Sequence, residues 1–261
     1  MHYDRSIRAG CGECRKPEQS VSLAMAFQPI VDTFSGKPFA FEALVRGQNG
    51  ESAVEVLAQV TPENRYAFDQ QCRVSAIEGA VEAGILETDA RLLINFLPNA
   101  VYSPLACIRL TLKTARAMHF PTERLIFEFT ENEEITDTEH VQRIVDCYRD
   151  MGFATALDDF GAGHAGLGLL ARIQTDYLKL DMELIRGIDA SLPRRSIVES
   201  MLRIGEQLNN GIIAEGVETQ AEYQTLKSIG VRHIQGYLLA RPEFRHLPTI
   251  NQQGAQNIRM A

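Results

Sequence analysis

What this sequence lacks excludes several kinds of protein. No stretch of its 261 residues approaches the ~18 consecutive apolar residues of a membrane-spanning helix, so no membrane insertion is expected. The first twenty residues have no apolar core and cannot serve as a secretory signal peptide. The six histidines show neither HxxxH nor HExxH spacing, which argues against a histidine-bound zinc hydrolase. There is no GxSxG elbow for a serine nucleophile. Positive charge is in deficit. The 26 Lys and Arg face 34 Asp and Glu, a formal net charge of −8, which argues against coating a polymeric nucleic acid or an acidic membrane. A small anionic ligand held by a few local cations stays open. Nineteen glycines and ten prolines are too few for collagen or a low-complexity linker.

What is present is ordinary for a globular chain, with 45% hydrophobic and 23% charged residues. The length suffices for a full core without disulfides, and α/β barrels of about 250 residues are routinely single domains. The five cysteines are odd in number. Without a signal peptide they read as reduced thiols of a cytoplasmic protein. Cys72, Cys107 and Cys147 fall on predicted helices as core thiols. Cys11 and Cys14 form a CxxC in a polar leader over residues 1–20. No second CxxC completes a zinc site, and no strand precedes the motif as a thioredoxin-like site requires. The CxxC is read as an unpaired leader, half of an intermolecular zinc site or a redox switch.

From Val21 onward short β-rich runs alternate with longer helical ones. Strands are predicted over 22–31, 38–45, 91–96, 124–130, 153–158, 176–181, 211–215 and 232–237. Helices are predicted over 51–60, 63–84, 103–118, 138–151, 165–172, 194–209 and 219–229. Ser103 and Pro104 read as a cap with proline at the first helical position. Thr219 and Glu222 read as a capping box. Gly152, Gly211 and Gly230 stand where left-handed residues end helices. Repeated strand and helix indicate a largely parallel sheet covered by helices. Two layouts satisfy this, an open doubly wound sheet and a closed (β/α) barrel. The first two strands have no room for a helix between them, so one pairing there is expected to be antiparallel. One domain is expected over residues 21–245, followed by a polar tail over 246–261.

The chemistry collects late in the strands. Glu42, Asn95, Glu128, Asp158 with Asp159, Lys179 with Asp181, Glu215 and Gln235 each stand within or at the end of a different apolar strand. In both parallel layouts ligands bind at the carboxyl ends of strands. A carboxylate inside an apolar strand is costly to bury unless it is paired or bound to metal. Glu42, Glu128, Asp158, Asp159 and Glu215 carry five negative charges against the one positive charge of Lys179. If they converge, two divalent ions would balance them, and an oxygen-rich donor set suits Mg²⁺ or Mn²⁺ better than zinc. Such a two-metal site usually hydrolyses phosphate esters. The GxGxxG spelled by Gly161, Gly163 and Gly166 follows two aspartates in mid-chain, so flexible-loop glycines explain it better than a dinucleotide fingerprint.

EALVRG at 42–47 resembles the signature of the EAL domain family of bacterial cyclic di-GMP phosphodiesterases. FQPIVD, FEFTE, DDFGAG, DYLKLD, AEGVE and QGY follow in that family's order and approximate spacing, from about Ala26 to Pro242. The resemblance implies a modified (β/α)8 TIM-like barrel that hydrolyses one phosphodiester of cyclic di-GMP to linear pGpG, dependent on Mg²⁺ or Mn²⁺. It implies that Glu42, Asn95, Glu128 and Asp158 hold one metal and that Asp158, Asp159 and Glu215 hold the second. A water between the metals would be the nucleophile, Lys179 would hold or polarise it, and Glu215 is the better candidate for the general base. Arg46 would grip the substrate phosphate, Gln28 and Leu44 would line the cleft, and Gln235 and Pro242 would close its far side. Glu131, Asp181 and Glu218 would support the ligands from behind, Glu131 anchoring the loop after Asp159. The family's loop after DDFG is associated with dimerisation and metal occupancy, so a homodimer is expected. Two residues depart from the family's habit. His164 and Leu239 each stand where aromatics are common, and Leu239 is expected to weaken guanine packing. The leader is too short for a sensory domain, so input would come from a regulatory protein partner, the dimer, the leader or substrate concentration. The complete ligand set favours an enzyme over the alternative, a cyclic di-GMP receptor that turns its ligand over poorly.

Overall fold

The computed structural model describes residues 21–130, 135, 137–163 and 166–251. The leader with Cys11 and Cys14, Glu131, His164 and the end of the polar tail lie outside the described residues.

The closed barrel prevails over the open sheet. Eight strands form the ring: β1 (Leu23–Asp32), β2 (Pro38–Gly47), β3 (Arg91–Asn95), β4 (Leu125–Thr130), β5 (Ala154–Phe160), β6 (Tyr177–Leu180), β7 (Gly211–Ala214) and β8 (His233–Ile234). Strands β2 to β8 pair in parallel in sequence order, and β1 closes the ring between β8 and β2. As expected from the short β1–β2 connection, β1 runs antiparallel, and it does so to both neighbours. The turn is held by Asp32, whose Oδ1 accepts the backbone N–H groups of Phe34 and Ser35, each at 2.9 Å. A ninth strand of two residues, β9 (Glu243–Phe244), which the sequence pattern missed, pairs with β1 at Ala26 and Phe27.

Helices cover the outside: α1 (Ala53–Leu57), α2 (Arg65–Glu82), α3 (Pro104–Cys107), α4 (Arg109–Ala117), α5 (Thr138–Asp150), α6 (Gly166–Leu170), α7 (Met182–Ile185), α8 (Leu192–Leu208) and α9 (Gln220–Ser228). No helix among the described residues is long and apolar enough to cross a membrane. The capping box of Thr219 and Glu222 forms at the start of α9. Pro104 does occupy the first turn of α3, but Ser103 makes no side-chain cap bond, and the predicted 103–118 helix breaks at Ile108. Gly152 and Gly230 take positive φ of 84° and 99° as expected. Gly211 does not. Asn209 (φ 59°) ends α8 in its place, and Gly211 opens β7 facing the Tyr177 ring, where a Cβ would stand 2.6 Å from a ring carbon.

Two apolar layers follow from the two-residue period of a strand. Phe41, Leu92, Phe127, Leu157, Leu178 and Ile212 belong to the large core that packs strands against helices. Ile30, Ala40, Leu93, Ile126, Ala156 and Ile213 form a separate buried cluster. They alternate with the helix-facing residues and fill the barrel interior. Two residues further toward the carboxyl end of each parallel strand, the same inward face turns polar: Ala40 gives way to Glu42, Leu93 to Asn95, Ile126 to Glu128, Ala156 to Asp158 and Ile213 to Glu215. Antiparallel β1 supplies Gln28 in the same way, two residues before Ile30. The site is therefore the next layer of the barrel filling, made of carboxylates and amides in place of aliphatic side chains.

Candidate active site

Lys179 stands at the centre of this layer with its side chain 1% exposed. Its Nζ lies 2.9 Å from Glu128 Oε2, 2.9 Å from Asp158 Oδ1, 2.9 Å from Glu215 Oε1 and 3.4 Å from Glu42 Oε2. Asn95 and Glu128 are level in the parallel register of β3 and β4, and Asn95 Nδ2 donates to Glu128 Oε1 at 2.7 Å. Gln235 Nε2 donates to Glu42 Oε2 at 2.7 Å and to Gln28 Oε1 at 3.3 Å, and Gln28 Nε2 donates to the Ala240 carbonyl at 3.2 Å.

Consecutive strand residues point to opposite faces, yet Asp158 and Asp159 both reach the site. Two features allow it. The pairing of β5 with β6 shifts register between Leu157 and Phe160, and Asp159 takes a left-handed backbone with φ 55°. Aspartate tolerates that conformation better than most residues. Thr130 Oγ1 donates to Asp159 Oδ2 at 2.9 Å, and the Asp159 N–H donates to Asp158 Oδ1 at 2.9 Å.

The electrostatics follow from burial and crowding. Burial raises the Glu128 pKa well above its ordinary range. Lys179 opposes that shift, and Glu42 and Asp158 add to it. Burial likewise raises Glu215 well above its range, with Asp158 and Glu42 adding and Lys179 opposing. Burial alone would lower Lys179, but Asp158, Glu128, Glu215 and Glu42 together raise it well above its usual value.

The residues fit divalent cations. Glu42, Glu128 and Asp158 offer oxygens all within 4.8 Å of one another, and so do Asp158, Asp159 and Glu215. Asp158 belongs to both groups, as a residue shared between two ions would. The donors are carboxylate oxygens with the Asn95 carboxamide beside them, a set that suits hard ions. One ammonium among five carboxylates leaves the charge that two divalent ions would balance.

Two cavities meet at this layer. A cleft of about 290 Å³ is lined by Gln28, Glu42, Leu44, Asp158, Asp159, Glu215 and Gln235. Asp181 and Glu218 also line it. Asp181 caps α7 by accepting the Glu183 N–H at 2.7 Å, and Glu218 pairs with Arg186 at 2.8 Å. Neither is bonded to the acidic cluster. A cavity of about 360 Å³ on the other side shares Glu42, Leu44 and Asp158 and adds Arg46 and Asn95. Arg46 thus lies within reach of the layer, with Nη1 donating to the Val45 carbonyl at 2.7 Å. Pro242 is half-buried just after Arg241 and is part of neither wall. Leu239 is fully buried in the core and lines neither cavity. The half-exposed Tyr237 lines the cleft in its place, with the Arg241 guanidinium 4.1 Å from its ring centre. Thr130, Met182, Arg186 and Tyr237 escaped the sequence reading. Tyr237 belongs to the QGY segment, and the sequence carries no signal of cleft position for the other three.

An α/β barrel with a carboxylate layer around a buried lysine at the carboxyl end of its strands defines an acidic site suited to divalent cations. The family model of the EAL domain matches residues 16–242, and the chain belongs to that family. The structure of a standalone versatile EAL protein from Vibrio cholerae O395, in its c-di-GMP bound form, is similar at 48% identity with a TM-score of 0.86, covering 90% of this chain and 98% of that one. The blue light- and temperature-regulated antirepressor BluF of Escherichia coli is 32% identical over 227 residues, 86% of this chain and 55% of that protein. The probable cyclic di-GMP phosphodiesterase PdeN of Escherichia coli is 29% identical over 255 residues, 92% of this chain and 48% of that protein. The chain spans about half the length of these two curated relatives.

Proposed function

We propose that this chain hydrolyses one phosphodiester bond of cyclic di-GMP to linear pGpG with two Mg²⁺ or Mn²⁺ ions. The observation that carries the reading is the pair of acidic groups sharing Asp158, with every expected ligand in the layer. Glu42, Asn95, Glu128 and Asp158 would hold one ion, and Asp158, Asp159 and Glu215 the other. Bound there, the ions would supply positive charge to the attacking and leaving oxygens of an in-line displacement and make water a better nucleophile at neutral pH. Lys179 keeps the carboxylates together and would donate a hydrogen bond to the attacking water. Glu215, which borders the cleft 2.9 Å from the Lys179 ammonium, is the better candidate to take that water's proton. Arg46 would grip the phosphate in bidentate fashion from the neighbouring cavity. Gln28, Leu44 and Gln235 would bound the rest of the substrate.

The second reading is a receptor that binds cyclic di-GMP with little turnover, and the naming of BluF as an antirepressor supports it. The complete ligand layer favours hydrolysis. A homodimer, a regulatory protein partner and a cytoplasmic location are part of the same proposal and rest on the resemblance and on composition. The test is chromatography of nucleotides after incubation with cyclic di-GMP. Release of pGpG with Mg²⁺ or Mn²⁺, abolished by a chelator, is the expected result. Tight binding of intact cyclic di-GMP without release would replace hydrolysis with the receptor reading.

A further inference from the structure

One buried charge pair lies outside the carboxylate layer and is bonded to its frame. Asp69 and Arg73 sit one turn apart on the inner face of α2, 2% and 0% exposed, with Arg73 Nη2 2.7 Å from Asp69 Oδ2. Arg73 Nη1 donates to Tyr148 Oη on α5 at 2.8 Å. Asp69 Oδ1 accepts the Leu97 N–H at 2.9 Å, where the chain leaves β3 two residues after Asn95. The guanidinium carbon lies 5.4 Å from the centre of the Phe96 ring and 5.6 Å from that of Phe127. Phe96 follows Asn95 and Phe127 precedes Glu128. The Phe96 N–H also donates to the Glu128 carbonyl at 2.9 Å.

A buried ion pair is a poor source of stability, because desolvating both charges offsets their attraction, and apolar replacements of similar volume are often neutral. It does fix geometry. Here Asp69 binds the chain just beyond Asn95, and the Arg73 guanidinium faces Phe96 and Phe127, the aromatic neighbours of Asn95 and Glu128, which are themselves joined at 2.7 Å.

We propose that Asp69 and Arg73 are positioning residues for the cation site of Asn95 and Glu128. Asp69 fixes the backbone beyond Asn95 through the Leu97 N–H. Arg73 holds the aromatic neighbours of both ligands from the helix side. The inference rests on the two-cation reading.

Mn²⁺ titration calorimetry of the full chain tests it on three proteins: the unaltered chain, Asp69→Leu/Arg73→Met and Asp69→Asn/Arg73→Met. Neither double variant leaves a buried unpaired charge, and the second keeps an oxygen acceptor for the Leu97 N–H. The expected result is two Mn²⁺ on the unaltered chain, one of them weakened about 10- to 100-fold in Asp69→Leu/Arg73→Met and restored to within about threefold in Asp69→Asn/Arg73→Met. An unaltered chain that takes up no Mn²⁺ overturns the two-cation reading, and this inference with it. Two Mn²⁺ on the unaltered chain with unchanged variants, or with both variants weakened alike, overturns the inference alone. Circular dichroism showing both double variants unfolded would assign the pair to stability and overturn it too.

Discussion

The Lys179 ammonium lies 2.9 Å from Glu128 Oε2, an ion pair between two side chains that are both buried in the barrel. Burial favours the proton on Glu128, that ammonium opposes it, and three further carboxylates crowd the same nitrogen. Breaking a buried pair by removing one partner costs about 3–5 kcal/mol. Lys179→Met is therefore expected to lower the melting temperature of the chelator-treated protein by on the order of 10 °C. Added Mn²⁺ is expected to restore much of the loss, because it replaces the missing positive charge. A melting temperature unmoved by the substitution would show that the lysine is not holding the carboxylates together. Lys179→Ala is expected to lower kcat far more than it raises KM, and the reverse pattern would assign Lys179 to substrate binding.

The raised carboxylates set a pH dependence. Glu128 and Glu215 both lie above their ordinary value of 4.5, burial being the main cause in each. The folded chain then holds protons that the unfolded chain has released, so its stability falls as pH rises from about 4.5 through the raised values. Lys179 is raised as well, so its contribution is complete below 10.5 and flat across neutral pH. Buried His233 opposes the trend only at lower pH. Burial holds it at about 4 against an ordinary 6.5, and it gains stability as pH rises through that interval. As pH rises from about 4.5 through the raised values of Glu128 and Glu215, their contribution to the melting temperature in chelator is therefore expected to fall, and Mn²⁺ uptake is expected to release protons. A rising melting temperature across that window would contradict the assignment.

Glu42 accepts from Gln235 at 2.7 Å and faces Lys179 at 3.4 Å. Glu42→Ala is expected to lower turnover by more than about 100-fold and Gln235→Leu by about tenfold, since one removes a ligand and the other only its orienting bond. Steady-state assay with saturating Mg²⁺ measures both. Retained activity in Glu42→Ala would remove Glu42 from the ligand set.

Asp159 holds a left-handed backbone, which penalises branched side chains. Asp159→Val is expected to lose about 1–2 kcal/mol more stability than Asp159→Asn, which tolerates that conformation. Both are expected to weaken one cation. Equal denaturation midpoints for the two variants would show that the backbone there relaxes without cost.

All eight barrel strands were legible because each is an apolar run bounded by turn signals. The polar inward residues were legible because a carboxylate inside such a run has no cheap place to go. The two-residue β9 carries no period and left no trace. Helix α7 is a four-residue turn capped by Asp181, too short for a pattern. The misread Gly211 shows the limit of local punctuation. Asn209 served as the left-handed residue, and the glycine makes room for Tyr177 across the sheet. Leu239 is buried in the core, a placement that its order after QGY does not tell. The Asp69 and Arg73 spacing was visible in the sequence, but its importance depends on Leu97, Phe96 and Tyr148, which only the fold brings to it.

The most direct test of two-cation hydrolysis at this carboxylate layer is mass spectrometry of the nucleotides after incubation with cyclic di-GMP and Mn²⁺ in ¹⁸O-labelled water. The account predicts linear pGpG carrying a single ¹⁸O on its terminal phosphate, absent with chelator and absent with Glu42→Ala. Intact cyclic di-GMP, or pGpG formed equally well in chelator, would contradict it.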